Sequence, residues 1–320
     1  MRRRLLYILS FLFLVICGCS KKGSAIKQTL YSGEIRIAVD ESLKPIMEEE
    51  LQVYHAVTPE ATIVPVYCSE VEAINLFLKD SVRLVIANRR LTDQEISSFH
   101  TRKFFPESIR FATSSGTEWD FMTKRPGESG VFSSLISKLQ FRDILAGKIV
   151  NWSDLYPSSD LGRIQVVFDN PNSGTIRYAV DSICQGQTMA TTLTAQKTNE
   201  EVIDYVSKTV EAMGIIGVNW VGNVGDSTRL SFNESVRVMR ISDSSNPTVQ
   251  NSFRPYQAYL ALKKYPLTHD VFILINDPQG ALPTGLMTFL TGDKGQRIIL
   301  KSGLVPATQP VRLVNVKEDF

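Results

Sequence analysis

Apolar residues follow two different spacings along the first third of the chain. Residues 35–39, 62–67 and 82–87 are short, largely apolar runs of the kind that form buried strands. Between these runs, residues 43–54 and 70–78 carry apolar side chains at helical spacing. The order strand, helix, strand, helix, strand predicts an α/β fold with a parallel, doubly wound sheet.

The rest of the chain continues with mixed strand and helix signals. A second unit begins near residue 112, and the polar, serine-rich stretch 242–252 predicts a loop within it. The predicted strands of this part are residues 164–168, 215–218 and 271–275. The predicted helices are residues 133–145, 176–183, 200–213, 283–290 and 294–300.

The N-terminus has the pattern of an export signal. Arginines at residues 2–4 precede an apolar run over residues 5–16, which is shorter than the about 20 residues that a membrane-spanning helix needs. The run ends in Ile16-Cys17-Gly18-Cys19, which resembles a bacterial lipobox. We therefore expect removal of a lipoprotein signal peptide, residues 1–18, lipid attachment to Cys19 and a polar tether over residues 19–29. A short membrane anchor that stays uncut is the alternative.

Composition narrows the classes of function. The 320-residue chain has a formal charge of +2, and removal of the three leader arginines takes this charge to about −1, so no basic surplus points to nucleic acid. A mature chain of roughly 300 residues is expected to form about two domains. The three histidines form no metal pattern and no recognisable pair with a nucleophile, so we predict neither an enzyme nor a cofactor.

Two further features concern single side chains. Cys68 and Cys184 lie on different predicted units, which favours two buried free thiols, while a disulfide is the alternative in an oxidising compartment. The three glutamates at residues 48–50 predict a solvated helix face.

Polar residues gather where the predicted strands end. A doubly wound sheet binds ligands beyond the carboxyl ends of its strands, and three such ends are residues 40–42, 68–70 and 88–90. A further loop, Asn172-Ser173-Gly174-Thr175, joins a predicted strand to a predicted helix. Backbone N–H groups without intrahelical partners and two hydroxyls favour an anion there, although an ordinary helix cap is the other interpretation.

Six segments in the same order resemble the phosphate-binding proteins of ABC importers. Each segment is of modest specificity alone, but together they run over nearly all of the mature chain. They are residues 84–91 (LVIANRRL), 141–152 (FRDILAGKIVNW), 172–175 (NSGT), 214–217 (GIIG), 265–267 (YPL) and 295–306, which begin with GQ and end with GLVP.

The resemblance implies a type II periplasmic-binding-protein fold, in which two doubly wound lobes are joined by two crossover strands. Lobe one would comprise residues 30–112 and 265–320, and lobe two residues 113–264. Phosphate or a related oxyanion would bind between the lobes, which would close around it by a hinge motion. The partner would be an inner-membrane ABC permease, and the family implies a monomer, exported and anchored on the periplasmic side or at the cell surface.

The resemblance also implies a set of binding residues. In the family, backbone N–H groups, hydroxyls and an arginine hold the anion, and an acidic side chain accepts its remaining proton. Ser173, Gly174 and Thr175 match the second-lobe part of that site, and Ser69 matches the serine after the second strand. The full predicted set is Glu41, Ser42, Ser69, Asn88, Arg89, Asp169, Asn172, Ser173, Gly174, Thr175 and Arg177.

Departures from the family pattern leave the identity of the anion open. Asp169 stands where the family often has an arginine, and Asn88-Arg89 replaces a Ser-Arg or Ser-Asp pair. We hypothesise that Arg89 and Asp169 face each other across the cleft, so that Arg89 contacts the anion and Asp169 orients it or accepts its proton. Arg177 is the other candidate for the positive charge. The alternative function is a lipoprotein of the same fold that senses a ligand or binds another surface protein.

Overall fold

The structure is a computed structural model that describes residues 28–101, 106–115, 120–124, 135–190, 192–222 and 231–311. Of residues 111–115 and 120–124 it describes the backbone. The predicted signal peptide, Cys19 and most of the predicted tether lie outside these ranges. In the described part of the chain, no helix combines the length and the apolar character needed to cross a membrane.

The strands of the described residues are numbered in chain order. They are β1 (Gly33–Asp40), β2 (Ala61–Cys68), β3 (Leu84–Ala87), β4 (Glu107–Ser115), β5 (Asp120–Lys124), β6 (Leu135–Ser137), β7 (Gln165–Phe168), β8 (Thr194–Ala195), β9 (Ala212–Ile216), β10 (Val236–Val238), β11 (Arg240–Ser242), β12 (Ser252–Phe253), β13 (Thr268–Ile275) and β14 (Val305–Pro306).

The α-helices are numbered in the same way. They are α1 (Lys44–Val57), α2 (Glu70–Leu78), α3 (Asp93–Thr101), α4 (Lys138–Leu145), α5 (Trp152–Leu155), α6 (Gly174–Tyr178), α7 (Asn199–Lys208), α8 (Val218–Val221), α9 (Gln257–Ala261), α10 (Leu282–Thr291) and α11 (Asp293–Lys301). A 3₁₀ turn (Glu41–Leu43) precedes α1, and a π-helical turn (Ala179–Cys184) continues α6.

Two larger sheets organise these elements. The first has the strand order β14-β4-β13-β3-β1-β2, and the second has the order β10-β5-β9-β7-β8. Strand β1 pairs in parallel with both β2 and β3, and β7 pairs in parallel with both β8 and β9. The predicted α/β class with parallel, doubly wound order is therefore confirmed. We call the first sheet with α1–α3, α10 and α11 the first lobe, and the second sheet with α4–α8 and the small sheet β12-β11-β6 the second lobe.

Antiparallel strands complete the first sheet from distant parts of the sequence. Strand β13 runs antiparallel to β3 and β4, and β14 runs antiparallel to β4. The C-terminal segment therefore returns to the first sheet, as the resemblance implied. The domain boundaries after residues 112 and 264 stay a prediction.

Each lobe has a buried apolar core. In the first lobe, Ile37, Leu84 and Ile273 are fully buried under the helices on one face of the sheet, and Ala38, Phe77 and Val85 are buried on the other face. A core on both faces is expected for strands of a doubly wound sheet. In the second lobe, the core forms around buried residues that include Phe141, Trp152, Phe168, Ile183 and Ile215.

Two predicted helices were wrong in their extent. The helix predicted over residues 133–145 begins at Lys138, because the Ser137 hydroxyl accepts from the Gln140 N–H at 3.0 Å and the Gln140 side chain accepts from the Ser137 N–H at 2.8 Å. The helix predicted over residues 200–213 ends at Lys208, and Ala212–Ile216 instead forms the buried strand β9. An apolar stretch that is fully buried carries no periodicity, so its helical and extended forms are hard to separate in sequence.

Cys68 and Cys184 carry free thiols, as predicted. Cys184 is buried, whereas Cys68 at the end of β2 is partly exposed, so the expected burial is correct for one of them.

Candidate ligand-binding cleft

Asp40 and Ser42 lie at the carboxyl end of β1, where the first lobe faces the second. Asp40 is 1% exposed, and its Oδ1 accepts from the Ser42 N–H at 2.9 Å and from the Ser42 hydroxyl at 2.7 Å. After β3, the Asn88 side-chain amide donates to the Ser42 Oγ at 3.0 Å. The ends of two parallel strands are therefore joined by buried hydrogen bonds at the edge where such sheets bind ligands.

His269 fixes the other side of Asn88. The His269 Nε2 lies 3.1 Å from the Asn88 Oδ1. Burial and the positive charge of Arg177 lower the pKa of His269 to about 3, so the ring is neutral and its Nε2–H donates to the amide oxygen. This contact holds the Asn88 amide nitrogen toward Ser42.

Asp169 organises the loop after β7 in the second lobe. Its side chain is 1% exposed, and its Oδ1 accepts from the Ser173 hydroxyl at 2.7 Å. The Oδ2 accepts from the Thr175 hydroxyl at 3.2 Å and from the Asn199 side-chain amide at 3.4 Å. A carboxylate of the protein itself thus occupies the two hydroxyls that the sequence predicts as anion donors.

Ser173 also caps the helix that follows it. Its Oγ accepts from the Ile176 N–H at 3.3 Å at the start of α6. The helix-cap interpretation of this loop is therefore confirmed, and the anion site stays a prediction.

Glu70 is the carboxylate that meets both arginines of the cleft. It is 1% exposed, and its Oε2 accepts from the Arg177 Nη2 at 3.2 Å and from the Asn88 N–H at 3.2 Å. Arg89 places its Nε 3.5 Å from the Glu70 Oε1 and donates to both carboxylate oxygens of Glu95 at 2.8 Å. Within the described ranges, no hydrogen bond or ion pair joins Arg89 to Asp169, and Arg177 is the arginine that crosses between the lobes.

Further hydrogen bonds join the lobes directly. The Ser42 carbonyl accepts from the Asn219 side-chain amide at 2.8 Å and from the Trp220 Nε1 at 2.9 Å. Asn199 donates to the Glu41 carboxylate from its backbone at 3.4 Å and also from its side chain. The lobes therefore meet at the β1–α1 turn, which carries the predicted residues Glu41 and Ser42.

The cleft carries an excess of buried carboxyl groups. Burial, with the nearby Glu70 and Asp169 charges, raises the pKa of Asp40 to about 8. Burial also raises the pKa of Glu41 and that of Asp169, although hydrogen bonds from Asn199 and from Ser173 counteract the two shifts. Removing several like charges from water at one place favours uptake of protons.

The remaining predicted residues lie at the margin of this cluster. Ser69 caps α2 by accepting from the Glu72 N–H at 3.3 Å. The Asn172 carbonyl accepts from the Val71 N–H at 3.4 Å, which is a further contact between the lobes. Gly174 is buried at the first position of α6, where its N–H has no intrahelical acceptor.

Sequence reasoning did not include several residues that the structure places in the cleft. Asp40 and Glu70 belong to the strand ends at residues 40–42 and 68–70, so that signal could have found them. Asn199 lies beside the predicted start of a helix, and no sequence signal pointed to Asn219 or Trp220.

Comparison with known proteins assigns this architecture to a family. The family model described as a PBP superfamily domain matches residues 24–294. The chain belongs to the PBP superfamily. Its predicted periplasmic-binding-protein fold is therefore confirmed. No curated protein matches the chain.

Solved structures of the same fold include proteins described as phosphate-binding. One of them is described as a phosphate ABC transporter substrate-binding protein with bound phosphate from Clostridium perfringens. It has a TM-score of 0.68 at 17% identity, and the match covers 86% of this chain and 100% of that protein. An ABC-type phosphate transport receptor from Vibrio cholerae has a TM-score of 0.60 at 18% identity, with 85% and 99% covered. A phosphate-binding protein from Stenotrophomonas maltophilia has a TM-score of 0.61 at 14% identity, with 87% and 91% covered.

Proposed function

We propose that this PBP-superfamily protein is the solute-binding component of an ABC importer and captures phosphate or a related oxyanion between its lobes. The family supplies the fold of a binding protein, which supports capture rather than catalysis. Solved proteins of this fold that are described as phosphate receptors of ABC transporters support the choice of ligand and of a membrane permease as partner.

The observation that carries the proposal is the geometry of the loop after β7. The Ser173 and Thr175 hydroxyls converge on the two oxygens of one buried carboxylate, that of Asp169. An entering oxyanion that takes the Thr175 hydroxyl from Asp169 would be held by the same kind of charge-assisted hydrogen bond, while Ser173 and Asn199 still donate to the two oxygens of Asp169. The N–H groups at the start of α6 and the Asn88 and Asn199 amides lie at the same cleft and add further donors.

The same proposal includes export and membrane attachment. The lipobox-like residues 16–19 support lipidation of Cys19, and the match to the family begins at residue 24, after that site. A lipid-anchored monomer would keep the cleft near the membrane in which a permease lies.

Isothermal titration calorimetry with phosphate, sulfate and a phosphate monoester tests this function. Thr175→Val removes one hydroxyl at nearly constant volume and does not touch the helix cap. We expect it to weaken oxyanion binding at least about tenfold, because a hydrogen bond to a charged group contributes about 1.5–3 kcal/mol. Ser235→Ala, at an exposed serine of the second lobe, should bind like the parent protein.

The opposite result would favour the alternative function. The Ser173 hydroxyl already donates to Asp169, and the Arg177 guanidinium already donates to Glu70. These internal contacts are the observation that favours a lipoprotein that no longer transports. If none of the three anions binds between pH 6 and pH 9, the importer proposal is wrong, and a role in sensing or in contact with a surface protein takes its place.

A further inference from the structure

One oxygen of the Asp40 carboxyl has no hydrogen-bond partner in the described part of the structure. The Oδ1 accepts hydrogen bonds from the N–H and the hydroxyl of Ser42, whereas the Oδ2 is buried and accepts none. Buried polar atoms are nearly always paired, so an exception of this kind calls for an explanation. A bare carboxylate oxygen in this position would be especially costly, because it carries charge.

The groups around Asp40 make a negative charge there still less favourable. Glu70 on α2 and Asp169 on the second lobe both act on Asp40 with their negative charges, and Glu41 adjoins it in the chain. The Cys68 thiol at the end of β2 has its pKa raised to about 12 by burial and by nearby acidic groups, Asp40 among them, so it is neutral.

The positive groups of the cleft do not offset these charges. Arg177 and Arg89 pair with Glu70, and Arg89 also pairs with Glu95. Lys44 lies 3.7 Å from the exposed Glu200. His269 on β13 is neutral, as described above.

An oxyanion entering this cleft would add charge to a cluster that is already acidic. Binding therefore needs a proton on the protein, and two buried aspartates are candidates to hold it. Both oxygens of Asp169 accept hydrogen bonds from hydroxyl or amide donors, which stabilises its ionised form. The Asp40 Oδ2 lacks such a donor, so the proton is better placed there.

We propose, building on the importer function above, that Asp40 acts as a protonated acid whose Oδ2–H donates a hydrogen bond to the bound oxyanion. A neutral carboxylic acid in a dry site can serve as a hydrogen-bond donor to an anionic oxygen. Above about pH 8, where Asp40 is ionised in the free protein, the site then takes up the oxyanion and one proton together. The neutral acid gives the anion a hydrogen-bond donor in a cleft where Asp169 stands in place of the arginine that the family often has.

Oxyanion affinity measured as a function of pH tests this role. Calorimetry with phosphate and with sulfate from pH 6 to pH 9.5 should give an affinity that falls by about tenfold per pH unit above about pH 8, where Asp40 loses its proton. Well above pH 8, titrations in buffers of different ionisation enthalpy should show uptake of about one proton per anion, and near pH 6 they should show almost none. Asp40→Asn keeps a donor but cannot ionise, so its affinity should have no such slope, whatever its absolute value.

A matched control separates this effect from general pH sensitivity. Glu50→Gln removes another fully buried carboxyl, which lies outside the cleft, and should keep the slope. A slope that persists in Asp40→Asn, or an affinity of the parent protein that is flat to pH 9.5, overturns the role of Asp40 and leaves the importer function standing. Absence of binding at every pH overturns both proposals.

Discussion

Glu50 is a carboxyl group buried without any hydrogen-bond partner among the described residues. It lies on α1 and is 0% exposed, and neither of its two oxygens has a partner. The sequence predicts a solvated face for residues 48–50, which is correct for exposed Glu48 and wrong for Glu50. Burial and the charge of Glu49 raise the pKa of Glu50 to about 9, so the folded protein holds this group in its protonated form at neutral pH.

Replacing Glu50 with Gln should stabilise the protein, and the gain should grow with pH. The raised pKa means that the folded state binds a proton that the unfolded state releases above about pH 4.3, so the parent loses stability from there up to about pH 9. We expect a gain on the order of 1–3 kcal/mol in the free energy of unfolding at pH 8 and almost none at pH 4. Urea denaturation at the two pH values measures it.

Glu48→Gln is the control for this change, because it alters the same helix at an exposed position. Its free energy of unfolding should shift by less than about 0.5 kcal/mol at either pH. Equal stabilities of Glu50→Gln and the parent at pH 8 would show that Glu50 is solvated in the folded protein.

At the residue scale, the sequence was informative where chemistry is local. Asp169, Ser173 and Thr175, all members of the predicted binding set, lie within seven positions and form a hydrogen-bonded unit. Asn199 was missed because its importance depends on Glu41, which lies 158 positions away. Glu70 lies at a predicted strand end, but its pairing with Arg177, 107 positions away, is not visible in the sequence. The sequence alone does not show which carboxyl group will accept a hydrogen bond from which distant donor.

Helix α7 connects local sequence signals to the cleft at the scale of an element. Its cap Thr198 accepts from the Glu201 N–H at 3.2 Å, and its first residue, Asn199, reaches both Glu41 and Asp169. The cap therefore fixes the backbone from which the bridging asparagine projects.

Thr198→Ala should destabilise the protein by about 1 kcal/mol, because it leaves the Glu201 N–H without an acceptor at the helix start. Urea denaturation measures this loss, and Thr198→Ser, which keeps the hydroxyl, should recover most of it. If the Thr198→Ala and Thr198→Ser variants have the same free energy of unfolding, the hydroxyl does not cap α7, and the position of Asn199 depends on its side-chain contacts alone.

Element prediction succeeded where strands and helices differ in pattern and failed where burial removes the pattern. The predicted helix over residues 70–78 agrees with α2, because its apolar residues repeat at helical spacing beside polar ones. The first two residues of β9, Ala212 and Met213, were taken for the end of a helix, whereas Ile215 and Ile216 were predicted as a strand; all five residues of β9 are buried and show no alternation. Its neighbours β5 and β7 decide its form, and they lie far away in sequence.

At the scale of the whole molecule, several polar contacts around the cleft join the two lobes. Glu70 of the first lobe pairs with Arg177 of the second, and the Ser42 carbonyl accepts from Asn219 and Trp220. The resemblance to a family could predict two lobes and a cleft. It could not predict these contacts between the lobes, because their partners are far apart in the sequence. Under the proposed function, a ligand would enter by separating these contacts, so their strength would set the balance between open and closed forms.

Glu70→Gln should shift that balance toward the open form. The change removes the charge of the buried carboxylate that Arg177 meets across the cleft and leaves Arg177 with Asp181 of its own lobe. Loss of one member of a fully buried pair costs about 3–5 kcal/mol, and the cost is smaller here because the Arg177 side chain is 29% exposed. Much of that cost is relieved if the lobes separate and Arg177 reaches water. Small-angle X-ray scattering should therefore show a larger radius of gyration, and the emission of Trp220, whose Nε1 bonds to the Ser42 carbonyl, should move to longer wavelength.

Asp181→Asn provides the matched control for the Glu70 variant. Asp181 also pairs with Arg177, at 3.8 Å, but it lies on the same lobe and its side chain is 61% exposed. Exposed ion pairs contribute about 0–1 kcal/mol, and this one does not bridge the lobes, so scattering and emission should match those of the parent. If both variants open the protein equally, the effect belongs to Arg177 itself. If neither does, the Ser42 contacts with Asn219 and Trp220 are sufficient for closure, and Glu70 serves chiefly to position the arginines of the cleft.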